Sequence, residues 1–137
     1  MTLTDLLKRH EGYSRSPYRC TAGALTIAHG RNLDAVGIDK DEAEYLLNRD
    51  IDRAVANLRN EPYWLDLSEV RQAVLISMVF NLGWGGFCAF QRMRAELKAK
   101  DYAGAASEML SSKWAMQVRR RSTELAQMME SGEWSTP

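Results

Sequence analysis

Two cysteines, three prolines and no excess of either charge mark what this chain of 137 residues does without. Cys20 and Cys88 stand far apart, with no CxxC and no histidine cluster beside them, which argues against a disulfide scaffold and a structural zinc site. Lys and Arg number 18, as do Asp and Glu, so neither a polyelectrolyte nor a charge-driven disordered chain fits. Long apolar runs are missing too. No stretch approaches the roughly 18 residues of a membrane span, and the opening Met1 to His10 lacks the apolar run of about seven that an export signal carries. The expectation is therefore a chain with no export signal, no stable membrane association, no cofactor and no metal.

What is present suffices for a core. Hydrophobic residues make up 45% of the chain and charged ones 26%, the balance of one ordinary globular domain. The neutral total conceals an asymmetry: residues 1–69 hold 9 basic and 12 acidic side chains, residues 70–137 hold 9 and 6. A positively biased second half suits an anionic polymer, whether nucleic acid, cell-wall glycan or a membrane surface.

Periodicity divides the chain further. Thr2 and Asp5 form a capping pattern ahead of Leu3, Leu6 and Leu7, which predicts a helix over 2–11 stopped by Gly12. Residues 13–35 carry the tyrosines, Pro17, Thr26, Ile27 and glycines of short strands and turns. Asp39 with Glu42 is a second capping box, opening a helix to about Asn60 with Ala43, Leu47, Ile51, Ala54, Val55 and Leu58 on one face. Ser68 caps a helix apolar almost all round, interrupted at Gly83-Trp84-Gly85-Gly86, and short helices are expected near 89–99, 102–110, 112–117 and 119–130.

One local oddity concerns chemistry. Between Glu11 and Asp34 no acid occurs, while Arg15, Arg19 and Arg31 all do, so Glu11 is an isolated carboxylate in basic, aromatic surroundings. Most glutamates are simply solvated; one held beside a turn-rich cleft wall is a candidate general acid.

Context decides between these. Glu11-Gly12, Tyr18, Cys20, Gly23, Thr26-Ile27 and Gly30-Arg31-Asn32-Leu33 resemble the bacteriophage lysozymes of the phage T4 type, glycoside hydrolase family 24. The resemblance runs on through Asp41-Glu42-Ala43-Glu44, Met78 to Gly83, Trp114 with Gln117, and Met128-Met129 with Gly132-Glu133-Trp134. It implies an α+β, mainly α, two-lobed lysozyme fold in a single domain over 1–137. Residues 12–38 form the small β-containing lobe, 39–60 the inter-lobe helix and 61–137 the helical lobe, on which helix 2–11 packs.

The same resemblance implies a catalytic set of Glu11, Cys20 and Thr26, with Glu11 protonating the leaving oxygen and Thr26 beside the attacking water. Cys20 stands where relatives usually carry Asp, and a thiol is the poorer base unless Arg19 or His29 favours its thiolate. Phe80, Asn81 and Arg121 match cleft residues, Arg121 as a partner for Glu11, and His29 takes a binding or pKa-tuning part. The substrate implied is peptidoglycan, cut at the β-1,4 bond between N-acetylmuramic acid and N-acetylglucosamine. A monomer without nucleic acid is expected, held in the host bacterial cytoplasm until a separate holin-type pore admits it to the wall. A noncatalytic wall-binding protein, a small nucleic-acid binder and a lytic transglycosylase remain as alternatives at this point.

Overall fold

The computed structural model describes residues 1–136 and is mainly helical, with one small sheet. Contacts gather the chain into two compact units, Met1–Leu46 and Leu47–Pro137.

The first unit opens on α1 (Leu3–Glu11), whose start follows directly from local chemistry. The Thr2 hydroxyl accepts from Asp5 N–H at 3.1 Å while the Asp5 carboxylate accepts from Thr2 N–H at 3.0 Å, satisfying two donors that a helix start leaves free. Gly12 ends it at φ 73°. The sheet follows as β1 (Ser14–Arg19), β2 (Leu25–Ala28) and β3 (Arg31–Asn32), antiparallel in the order β1-β2-β3. Thr26 sits in the central strand, opposite Tyr18 on one side and Asn32 on the other.

This unit has almost no interior. Thr26 is its one buried residue among those described, and its apolar side chains, including Ile27, Leu33, Ile38 and Tyr45, line an open hollow of about 430 Å³. Polar clamps do the holding instead. Arg31 donates to Glu42 Oε1 at 2.7 Å, pairs with Oε2 as well, and reaches Gly37 O, tying β3 to the next helix. Asp34 accepts from Leu25 N–H at 2.8 Å and from Arg19.

α2 (Lys40–Leu58) begins with the predicted Asp39–Glu42 box, and the boundary between the units falls within it. Its apolar face is buried only toward the end, at Ala54 and Leu58; Leu47 is exposed, and so is Ala43, whose unit offers no core to receive it.

The second unit holds the hydrophobic core. After a 3-10 turn (Trp64–Asp66), α3 (Glu69–Cys88) starts with the Ser68 hydroxyl accepting from Arg71 N–H. The expected interruption over Gly83–Gly86 narrows to Gly83 alone, at φ 75° and ψ 165°, after which Trp84–Cys88 resumes the helix. Only that glycine leaves the helical region. α4 (Gln91–Lys98), α5 (Tyr102–Leu110), α6 (Lys113–Gln117) and α7 (Arg119–Ser131) complete the bundle, with α5 packed on α7 and α4, and α3 on α7.

Leu58, Tyr63, Val74, Leu75, Met78, Phe87, Met93, Leu97, Met109 and Met129 are sealed from solvent, and burying each of the aliphatic, methionine and phenylalanine side chains among them contributes about 1.5–3 kcal/mol. Arg71 fastens the last helix by donating from Nε to Met129 O at 2.7 Å and from Nη2 to Glu130 O at 2.8 Å. A cation is favoured at that end of the helix dipole. α3, expected to be buried almost all round, buries one face through Val70, Val74, Leu75, Met78, Val79 and Phe87, while Phe80 and Asn81 stand exposed. No single described helix is long and apolar enough to cross a membrane, although α3 and α4, bent by 102°, pass together by length and composition.

Candidate active site

Glu11 is the last residue of α1 and is exposed, so burial is not what shapes its surroundings. Its side chain lies against the backbone of Gly30, where an added Cβ would stand 2.7 Å from Glu11 Oε2 and 3.0 Å from Cδ. Glycine is required there twice over, by this contact and by a φ of 81°. The β2–β3 turn is thus the floor on which the carboxylate rests.

The same turn makes a second connection. His29 Nδ1 stands 2.6 Å from Gly12 O, and the rings of His29 and Tyr13 lie 5.5 Å apart, tilted by 47°. Through Gly12 and Gly30, which adjoin Glu11 and His29 in the chain, the helix end and the hairpin are fastened together.

Cys20 is half-buried at the end of β1, in the turn that leads to β2. Cys20 N–H donates to Ala24 O and Gly23 N–H to Cys20 O, which closes the turn tightly. Its thiol is held below the ordinary cysteine range by hydrogen bonding to the Ala24 and Ala22 backbone, with the Thr26 side chain and the Gly23 backbone adding to this against partial desolvation. Charged neighbours are not the cause. Arg19 points its guanidinium at Gly23 O (3.2 Å) and Asp34 (3.5 Å), Arg31 is committed to Glu42, and His29 faces Gly12. The expectation that Arg19 or His29 would favour a thiolate is corrected accordingly: oriented peptide dipoles supply what full charges do not.

Thr26 is buried, and its hydroxyl donates to Ala24 O at 2.9 Å. The Thr26 hydroxyl and the Cys20 backbone thus meet the same carbonyl, Ala24 O, from the two sides of the turn, a placement suited to steering a small polar molecule. Cys20 with Thr26, and Glu11 with Gly30, are the two groupings that the first unit assembles.

Phe80, Asn81 and Arg121 belong to the second unit. Phe80 borders a hollow of about 280 Å³ with Asp50, Arg53, Asn57 and Trp84. Asn81 Oδ1 accepts the indole N–H of buried Trp114 at 2.6 Å, so its side chain has a structural duty. Arg121 donates to Ser77 O and Oγ at 3.2 and 3.1 Å. Cys88 is half-buried, as Cys20 is. Among the described residues no group of three or more His, Cys, Asp or Glu could hold a metal ion.

The phage lysozyme family model matches residues 8–128, a span that contains every one of these residues. The chain belongs to the phage lysozyme family. An endolysin of Acyrthosiphon pisum secondary endosymbiont phage 1 is 33% identical over 113 residues, covering 80% of this chain and 74% of its own. "Probable T4-type lysozyme 1" of Dictyostelium discoideum is 25% identical over 161 aligned positions, covering 96% and 95%. A SAR-endolysin of Enterobacteria phage P21 is 29% identical over 103 residues, covering 72% and 61%. This family member is a lysozyme-type, cell-wall-lytic hydrolase. Gly30, Arg31 and Asp34, which carry the support beneath Glu11 and β2, drew no individual role from the sequence, although Gly30 and Arg31 stand within the family motif.

Proposed function

We propose that this phage lysozyme acts as an endolysin that hydrolyses the β-1,4 bond between N-acetylmuramic acid and N-acetylglucosamine in peptidoglycan. Glu11 donates its proton to the glycosidic oxygen as the bond to the anomeric carbon breaks. A water attacks that carbon from the opposite face, with inversion, and passes its proton to the Cys20 thiolate as the new bond forms; solvent then takes that proton from the thiol and returns one to Glu11. Cys20 and Thr26 handle that water. The observation that carries the reading is the support of Glu11 on Gly30, in the same small unit that holds the Cys20 turn and the buried Thr26 hydroxyl on one carbonyl, Ala24 O. Phe80, Asn81 and Arg121 contact the glycan, and the protein works as a monomer that waits in the cytoplasm for a holin-type pore.

Purified protein is expected to clear peptidoglycan suspensions, and Glu11→Gln to abolish clearing with an unchanged circular dichroism spectrum. Clearing that survives in the variant refutes the assignment. Mass spectrometry of the products should show ordinary reducing ends; 1,6-anhydromuramic ends would instead mean transglycosylation by Glu11 alone.

A further inference from the structure

The turn after β2 is built against conformational preference. Ala28 adopts φ 59°, which a side chain disfavours, and the His29 that follows it is exposed, so no burial of its ring rewards the arrangement. What the turn achieves is the reach of His29 Nδ1 to Gly12 O, 17 residues earlier in the chain. A carbonyl oxygen only accepts, so Nδ1 carries the hydrogen and Nε2 is left without it when the ring is neutral. Gly12 follows Glu11 directly, and at φ 73° and ψ −162° it swings the chain out of α1 while its own N–H still donates to Lys8 O at 2.8 Å. Carbonyls at a helix end lack intrahelical donors, and here an imidazole supplies one.

We infer that His29 is a positioning residue for Glu11, its Nδ1–H pinning the Gly12 carbonyl so that the last turn of α1 stays over the Gly30 backbone on which the carboxylate rests. This builds on the reading of Glu11 as the acid and gives His29 a task other than sugar contact. Tyr13, ring to ring with His29, keeps the imidazole from turning away.

Steady-state kinetics on soluble peptidoglycan fragments test this, with circular dichroism and melting curves on each variant. His29→Leu should lower kcat by about 10–100-fold, the scale that a misplacement near 1 Å produces, with KM held within about twofold. Asparagine offers an N–H where Nδ1 offers one, so His29→Asn should recover most of kcat; His29→Gln, whose N–H lies where Nε2 does, should not. Full kcat in all three variants, or a rise in KM alone, overturns the inference, as does a lowered melting temperature with unchanged kcat. A second arm needs no activity: long-range nitrogen–proton spectra of the folded protein should show neutral His29 as the Nδ1–H tautomer, and an Nε2–H tautomer overturns the geometry. Wild-type protein without lytic activity would fail the reading of Glu11, and the tautomer would still judge the bond.

Discussion

Replacing Ala28 with glycine should make this protein more stable, the reverse of what glycine does elsewhere in a strand. β2 ends on Ala28 at φ 59°, where a Cβ crowds the following carbonyl at a cost of about 1–2 kcal/mol. Glycine removes that strain but frees the unfolded chain, which takes back roughly 0.5–1 kcal/mol. Loss of a half-buried methyl removes about 0.4 kcal/mol more. A net gain of a few tenths to ~0.5 kcal/mol remains, or a rise of about 2 °C in Tm for a chain of this size.

Because the effect is local, hydrogen exchange is the sharper assay. The amides of Ile27 and Arg31, which face each other across β2 and β3, should exchange about twofold more slowly in Ala28→Gly. Ala24→Gly is the control: Ala24 has no positive φ, so this change should cost ~0.5–1 kcal/mol. Equal destabilisation by the two substitutions would refute the reasoning, since it would mean that the turn holding His29 carries no strain at Ala28.

Cys20→Ala should lose most lytic activity and Cys20→Asp retain it, while alkylation followed by peptide mapping should mark Cys20 at pH values below the ordinary thiol pKa, because the folded turn favours the thiolate; modification at Cys88 alone would refute this. Gly30→Ala should reduce activity at least ~10-fold in a protein that still folds, since the new Cβ displaces the Glu11 carboxylate and the backbone resists a side chain at φ 81°; titration of clearing rate against folded protein measures it. The Arg31 guanidinium holds the Glu42 carboxyl below the usual carboxylate range, so the pair contributes stability that is full above the ordinary glutamate pKa and lost as pH falls through the lowered one. Protection factors of the β3 amides, which remove the intrinsic slowing of exchange toward acid pH, should therefore fall on acidification in the wild type, with a shallower pH dependence in Arg31→Met. Tryptophan fluorescence would miss the change, as all four tryptophans lie in the second unit.

By itself the sequence determined where helices begin, which region forms strands and which family the chain resembles. The Thr2–Asp5, Asp39–Glu42 and Ser68 caps are bonds spanning three residues, so chain connectivity alone brings the partners together. Apolar periodicity likewise located the bundle helices to within about two residues, because burial on one face imposes a pattern that the chain cannot hide.

Tertiary structure decided everything that depends on which distant groups meet. Three clustered glycines did not reveal that Gly83 alone breaks α3, and the helical face of α2 did not reveal that half of it has no core to enter. Arginines near Cys20 in the chain suggested charge stabilisation of its thiolate, yet Arg19 and Arg31 found carbonyls and carboxylates and left the task to backbone N–H groups. His29 meets Gly12 across 17 residues and Arg121 meets Ser77 across 44. Such pairings follow from the path of the folded backbone, since a side chain's partners are set by direction and distance in space, and residue type fixes only what kind of partner will do.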